Sequence, residues 1–173
     1  MWVFDAPPLI YLANVDALSH LTAVDDECVI PARVEAEVVD TGIEQGYLNA
    51  RRIEAAIAAG GFTVAAVAET AVTERLRRTP NRSANDVAAL APAAAADGIA
   101  VMDETHGRTV ATTEGSTTRG TAYVVVSLAK RGTINISTAR TRIDEMVDSR
   151  WYCAPDMYAR LVQELEALEQ RDR

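Results

Sequence analysis

Short apolar runs alternate with longer stretches of helical periodicity along most of the chain. Trp2-Val3-Phe4 and Ile99-Ala100-Val101-Met102 are unbroken apolar runs, too short for helices of their own, and each reads as a strand covered on both faces. Cys28-Val29-Ile30 reads as a short strand or extended entry ended by Pro31, residues 62–67 behind Gly60-Gly61 are the next strand candidate, and residues 115–118 read as a short edge strand. Between them, Leu9, Leu12, Val15 and Leu18 recur at helical spacing behind Pro7 and Pro8. Prolines are tolerated there because the N–H groups of a first turn have no partner inside the helix. Val34 and Val38, then Ile53 and Ile57, mark two helices separated by a break near Gly42 and Gly46. Further helices are predicted over 69–78, 83–96, 121–130, 138–148 and 155–169.

Strands that alternate with helices predict an α/β fold of three layers, α/β/α, around a central, mostly parallel sheet. With 173 residues and 49% hydrophobic content, one domain over 1–173 with a single core is expected. No stretch is apolar for the roughly 20 residues that a membrane span requires, so no membrane association and a cytoplasmic location are expected. Cys28 and Cys153 have no ligand or disulfide spacing, which suits a reducing compartment, and both read as structural thiols.

The formal net charge is −8, yet Lys130 is the only lysine. Excess carboxylate with almost no lysine is the bias of a salt-loving organism such as a haloarchaeon, and it weakens total charge as a guide to partners. The most basic stretch, with Arg75, Arg77, Arg78 and Arg82, reads either as a rim that contacts a polyanion or as a solvated loop.

Candidate chemistry lies among the 25 acidic residues. Asp5 and Asp103 each follow a buried strand, and in an open α/β sheet the catalytic groups collect at the carboxyl ends of the strands. Asp5 is also suited to cap the helix that opens at Pro7, and Asp103 with Glu104 to open a helix over 105–112. Asp97 stands at the other end of the Asp103 strand, roughly 20 Å away at 3.3 Å per residue, and reads as a turn residue. Ser83 and Asp86 have the spacing of a capping box, which does not prevent Asp86 from facing a site. Glu37 flanks the stripe of Val34 and Val38, and is a better inward-facing candidate than Glu35.

The opening Val3-Phe-Asp5 with Pro8-Leu-Ile-Tyr-Leu12, then Ile30-Pro31, Val34 and Glu37-Val38, resembles the start of PIN-domain nucleases. Ser83-Ala-Asn-Asp86, Ala100-Val-Met-Asp-Glu104 with Gly107-Arg108, and Arg119-Gly-Thr121 with Lys130-Arg-Gly132 are similar to a prokaryotic PIN subgroup related to VapC-type toxins. The resemblance runs through nearly the whole chain and implies a metal-dependent endoribonuclease with a four-carboxylate pocket of Asp5, Glu37, Asp86 and Asp103. It further implies Mg²⁺ or Mn²⁺, with Asp5 and Asp103 as principal ligands, Asp86 as a ligand to a second ion or through water, and Glu37 as a water-orienting or metal-supporting acid. Arg108 is expected either to face phosphate or to pair with Glu104, and Thr121 either to place a hydroxyl at the site or to cap a helix. An RNA substrate, a homodimer and a small antitoxin partner complete what the resemblance implies. One position departs from the pattern: Pro7 stands where many relatives have a small hydroxyl residue, and a catalytically weak scaffold that binds RNA or protein is the alternative. A small-molecule α/β hydrolase is a third reading, but no Gly-rich phosphate loop, nucleophile elbow or Cys/His metal pattern supports it.

Overall fold

The computed structural model describes residues 1–103 and 117–171. Among them, β1 (Trp2–Phe4), β2 (Cys28–Pro31), β3 (Thr63–Ala65), β4 (Ile99–Val101) and β5 (Thr117–Arg119) form one sheet in the order β3-β2-β1-β4-β5. Every pairing is parallel, with Trp2 opposite Cys28 and Ile99, Ile30 opposite Val64, and Ala100 opposite Thr118. The near-flush register puts the carboxyl ends of the strands along one edge. The order reverses between β1 and β4, the crevice where open α/β sheets bind their ligands.

Alternation along the strands divides the core into two layers. Trp2, Phe4, Ile30 and Val101 face α1 (Ala6–Asn14), α4 (Leu48–Ala58), α7 (Thr121–Lys130) and α8 (Ile136–Asp148). Val3, Val29, Ala100 and Met102 face α5 (Ala71–Arg78) and α6 (Ala84–Ala95). This is the three-layer α/β/α architecture, with a sheet that is parallel throughout. No described helix is long and apolar enough to cross a membrane.

Three elements depart from the sequence expectation. The first helix stops at Asn14; Asp16 takes a left-handed φ of 53°, and a 3-10 helix (Leu18–Ala23) follows, with Val15 and Leu18 still buried. Gly42 breaks nothing. The chain runs helically from α2 (Ala32–Glu35) through a π-helical segment (Ala36–Thr41) into α3 (Gly42–Glu44), and Gly46, with φ 77°, ends it. Gly42 serves packing instead, since a Cβ there would stand 2.7 Å from the Ala50 Cβ of α4. β3 is shorter than residues 62–67, and Thr63 and Val64 on it are exposed, as befits an edge. The final helix, α9 (Pro155–Arg171), packs on the chain's own core through buried Leu165, with Leu161 and Leu168 half-buried. The helix considered for 105–112 lies outside the described residues.

Candidate active site

Asp5 continues β1 by one residue, its amide donating to the Val101 carbonyl at 3.0 Å, and its side chain is only 3% exposed. It is the N-cap of α1, where its carboxylate accepts the Ala6 amide at 2.8 Å. An N-cap carboxylate ordinarily binds the second or third amide of its helix. Those positions are Pro7 and Pro8, which have no N–H, so conventional capping cannot draw the Asp5 carboxylate into the helix.

Asp86 enters from α6. Its amide donates to Ser83 Oγ at 3.0 Å and its Oδ2 accepts the Ser83 amide at 2.9 Å, the reciprocal pair of a capping box. That bond turns a 6% exposed carboxylate toward the carboxyl edge of the sheet. Glu37 comes from the first turn of the π segment and is exposed. Its Oε2 accepts from Asn85 Nδ2 at 2.5 Å, while Asn85 Oδ1 accepts from Arg33 Nε at 3.2 Å. Asp5, Glu37 and Asp86 thus reach one cleft of about 520 Å³ from three separate elements, with Pro7, Tyr11, Asn14 and Ser149 also lining it.

Asp103 stands at the neighbouring strand end, since Phe4 pairs with Val101, but it does not line this cleft. Its Oδ1 accepts the Thr121 amide at 2.7 Å, and its Oδ2 accepts the Thr121 hydroxyl at 2.5 Å and the Trp151 indole N–H at 3.0 Å. The N-cap of α7 is Gly120, which has no side chain, so a carboxylate from β4 caps the helix in its place. Thr121 is therefore the first helical residue, fully buried, and its hydroxyl is directed at Asp103. Asp97 lies exposed in a turn with φ 49°, at the far end of β4. Arg108 and Glu104 lie outside the described residues.

The donor chemistry that the described residues give the cleft, carboxylate oxygens without thiol or imidazole, suits a hard divalent cation. The spacing does not yet form a ligand set. Among the described residues, no three His, Cys, Asp or Glu side chains converge closely enough to hold a metal ion.

A second cleft of about 540 Å³ adjoins the first, and Ser83 lines both. Arg33, Arg77 and Arg82 give it a basic wall, and Arg77 is held by a bidentate pair with Glu69 at 2.5 and 2.6 Å. Two of the arginines from the basic stretch thus stand beside the acidic cleft. Asn85, Ser149 and Trp151 were not singled out by the sequence. Asn85 lies within the Ser83-Ala-Asn-Asp86 run, but nothing in the chain marks Trp151 as a partner of an aspartate 48 residues earlier. Neither cysteine takes part: burial, reinforced by Asp26, pushes the Cys28 thiol up to about 12.

The family model described as a PIN domain matches residues 1–167. No curated protein and no solved structure matches the chain.

Proposed function

Because the chain belongs to the PIN-domain family, whose fold is that of a nuclease, we propose that it is a metal-dependent endoribonuclease acting at the cleft of Asp5, Glu37 and Asp86. One observation carries the reading: three acidic side chains from three separate elements line a single cleft at the carboxyl edge of a parallel sheet, beside an arginine-lined one.

Asp5 and Asp86 would hold Mg²⁺ or Mn²⁺, with Asp103 contributing from the next strand end. A carboxylate offers about four acceptor sites, so the three donors on Asp103 leave it one more partner. When bound, the cation supplies positive charge against the scissile phosphate and Lewis acidity at the reacting oxygens. Glu37, exposed and hydrogen-bonded to Asn85, would orient water and accept its proton. Thr121 acts through Asp103 as a positioning residue. Arg33 and Arg82 would offer guanidinium donors to phosphates along the RNA backbone, while Arg77, paired with Glu69, adds to the wall between them. A VapC-type toxin role, with a small antitoxin, a homodimer and a cytoplasmic location, belongs to the same proposal and rests on the resemblance in the sequence.

The test is cleavage of single-stranded RNA by purified protein at high salt, with Mn²⁺ or Mg²⁺ and with EDTA. Metal-dependent cleavage that Asp5→Asn and Asp86→Asn abolish is the expected result. Absence of cleavage with either metal, or cleavage unchanged in Asp5→Asn, ends the nuclease reading.

A second reading, a catalytically weak scaffold that binds RNA or protein, is favoured by the absence of three converging acids among the described residues. It is distinguished by RNA binding with no cleavage in Mn²⁺.

A further inference from the structure

A pocket of about 420 Å³ adjoins the acidic cleft, and Ile10 and Glu37 line both. Ile10 and Val38 form apolar walls, and Gln45, Tyr47 and Asn49 stand around them. Gly46, at φ 77°, reverses the chain immediately before Tyr47 and projects Tyr47 and Leu48 outward, 55% and 67% exposed. The Tyr47 ring packs on no other aromatic ring among the described residues. Asn49 Nδ2 donates to Asn14 Oδ1 at 3.1 Å, and Asn14 lines the acidic cleft, so a hydrogen bond joins the two spaces. That bond leaves the Asn49 carbonyl oxygen and one N–H for a ligand.

An apolar slot with an exposed aromatic ring and two amides at its mouth has the chemistry that recognises an unstacked nucleobase. The ring offers a stacking face, and the amides offer both donors and acceptors to a base edge. Its volume falls within the roughly 300–1,000 Å³ usual for small-ligand sites. We propose that this side pocket binds a nucleobase of the RNA whose phosphodiester lies in the acidic cleft, with Tyr47 as stacking platform and Asn49 and Gln45 as base-reading residues. The proposal rests on the nuclease reading above. It makes the pocket the place where sequence preference is set, whereas the arginine-lined cleft on the other side holds backbone only.

The test is equilibrium binding, by fluorescence anisotropy without added metal, of the four single-stranded RNA homopolymers and of an oligomer with single abasic positions. Tyr47→Ala is expected to raise Kd by about 5- to 150-fold, the worth of one stacked base, and Tyr47→Phe to stay within about twofold of wild type. Asn49→Ala and Gln45→Ala are expected to flatten the differences between homopolymers. The slope of log Kd against log salt should be unchanged in Tyr47→Ala, because no phosphate contact is lost. If wild type cleaves RNA but Tyr47→Ala binds every RNA as tightly, the base pocket is wrong and the nuclease reading stands. The pocket is equally wrong if abasic positions cost wild type no affinity. If wild type neither binds nor cleaves RNA, both readings fall together.

Discussion

The indole N–H of Trp151 donates to Asp103 Oδ2 at 3.0 Å, fastening the connection between α8 and α9 to the end of β4. Trp151 is buried, and the residue before it, Arg150, takes a left-handed φ of 72°. The same oxygen accepts the Thr121 hydroxyl, so one carboxylate orients the strand end, a helix start and a distant connection.

Trp151→Phe keeps an aromatic ring in the buried position and removes the donor. It is expected to cost about 1.5–3 kcal/mol in urea unfolding, the usual value of a hydrogen bond to a charged group. Thr121→Val removes a donor to the same charged acceptor and should cost about 1–3 kcal/mol. A midpoint unchanged in both variants would deny the clamp.

Asp86→Asn separates capping from chemistry. The amide oxygen of asparagine can still accept the Ser83 N–H, so the melting temperature should move little, while cleavage falls by about 100-fold or more. Ser83→Ala acts on the cap instead and should lose about 1 kcal/mol of stability.

Carboxylate oxygens that line one cleft are hard donors suited to a divalent cation. Added Mn²⁺ is therefore expected to raise the melting temperature of wild type, and to do so less in Asp5→Asn and Glu37→Gln. An equal shift in all three proteins would place the cation elsewhere.

The close approach of Gly42 to Ala50 predicts that Gly42→Ala costs about 1–3 kcal/mol by overpacking. Adding Ala50→Gly should recover much of the loss, and a double-mutant cycle of unfolding free energies checks it.

The Cys28 thiol ionises less readily in the folded protein than in the unfolded chain, where its ordinary value is 9.0. Its contribution to stability is complete below pH 9 and is lost as pH rises toward about 12. Unfolding free energy should fall less steeply over that alkaline window in Cys28→Ala than in wild type.

Most of the sheet was legible because its central strands are unbroken apolar runs, and helix starts were legible where Ser83 supplies a cap in the sequence itself. Gly42 misled for a physical reason: glycine ends helices by reaching positive φ and also lets helices touch, and only the position of Ala50 tells these apart. Asp5, Glu37 and Asp86 could be picked out as acids beside strand ends or apolar stripes. Thr121 could be picked out as a hydroxyl for the site, but Trp151 could not, because it reaches Asp103 through tertiary packing that leaves no local pattern.

β1 precedes the other described strands along the chain yet is the middle of the sheet, flanked by β2 on one side and by β4 on the other. During synthesis its second edge stays bare until residue 101 has left the ribosome, so this seam closes late and by long-range pairing, the slow kind. Asp5 and Asp103 sit on that seam. A nascent chain that stops short of β4 therefore lacks the pairing that brings Asp5 and Asp103 to one edge, and vectorial synthesis itself delays assembly of the candidate site.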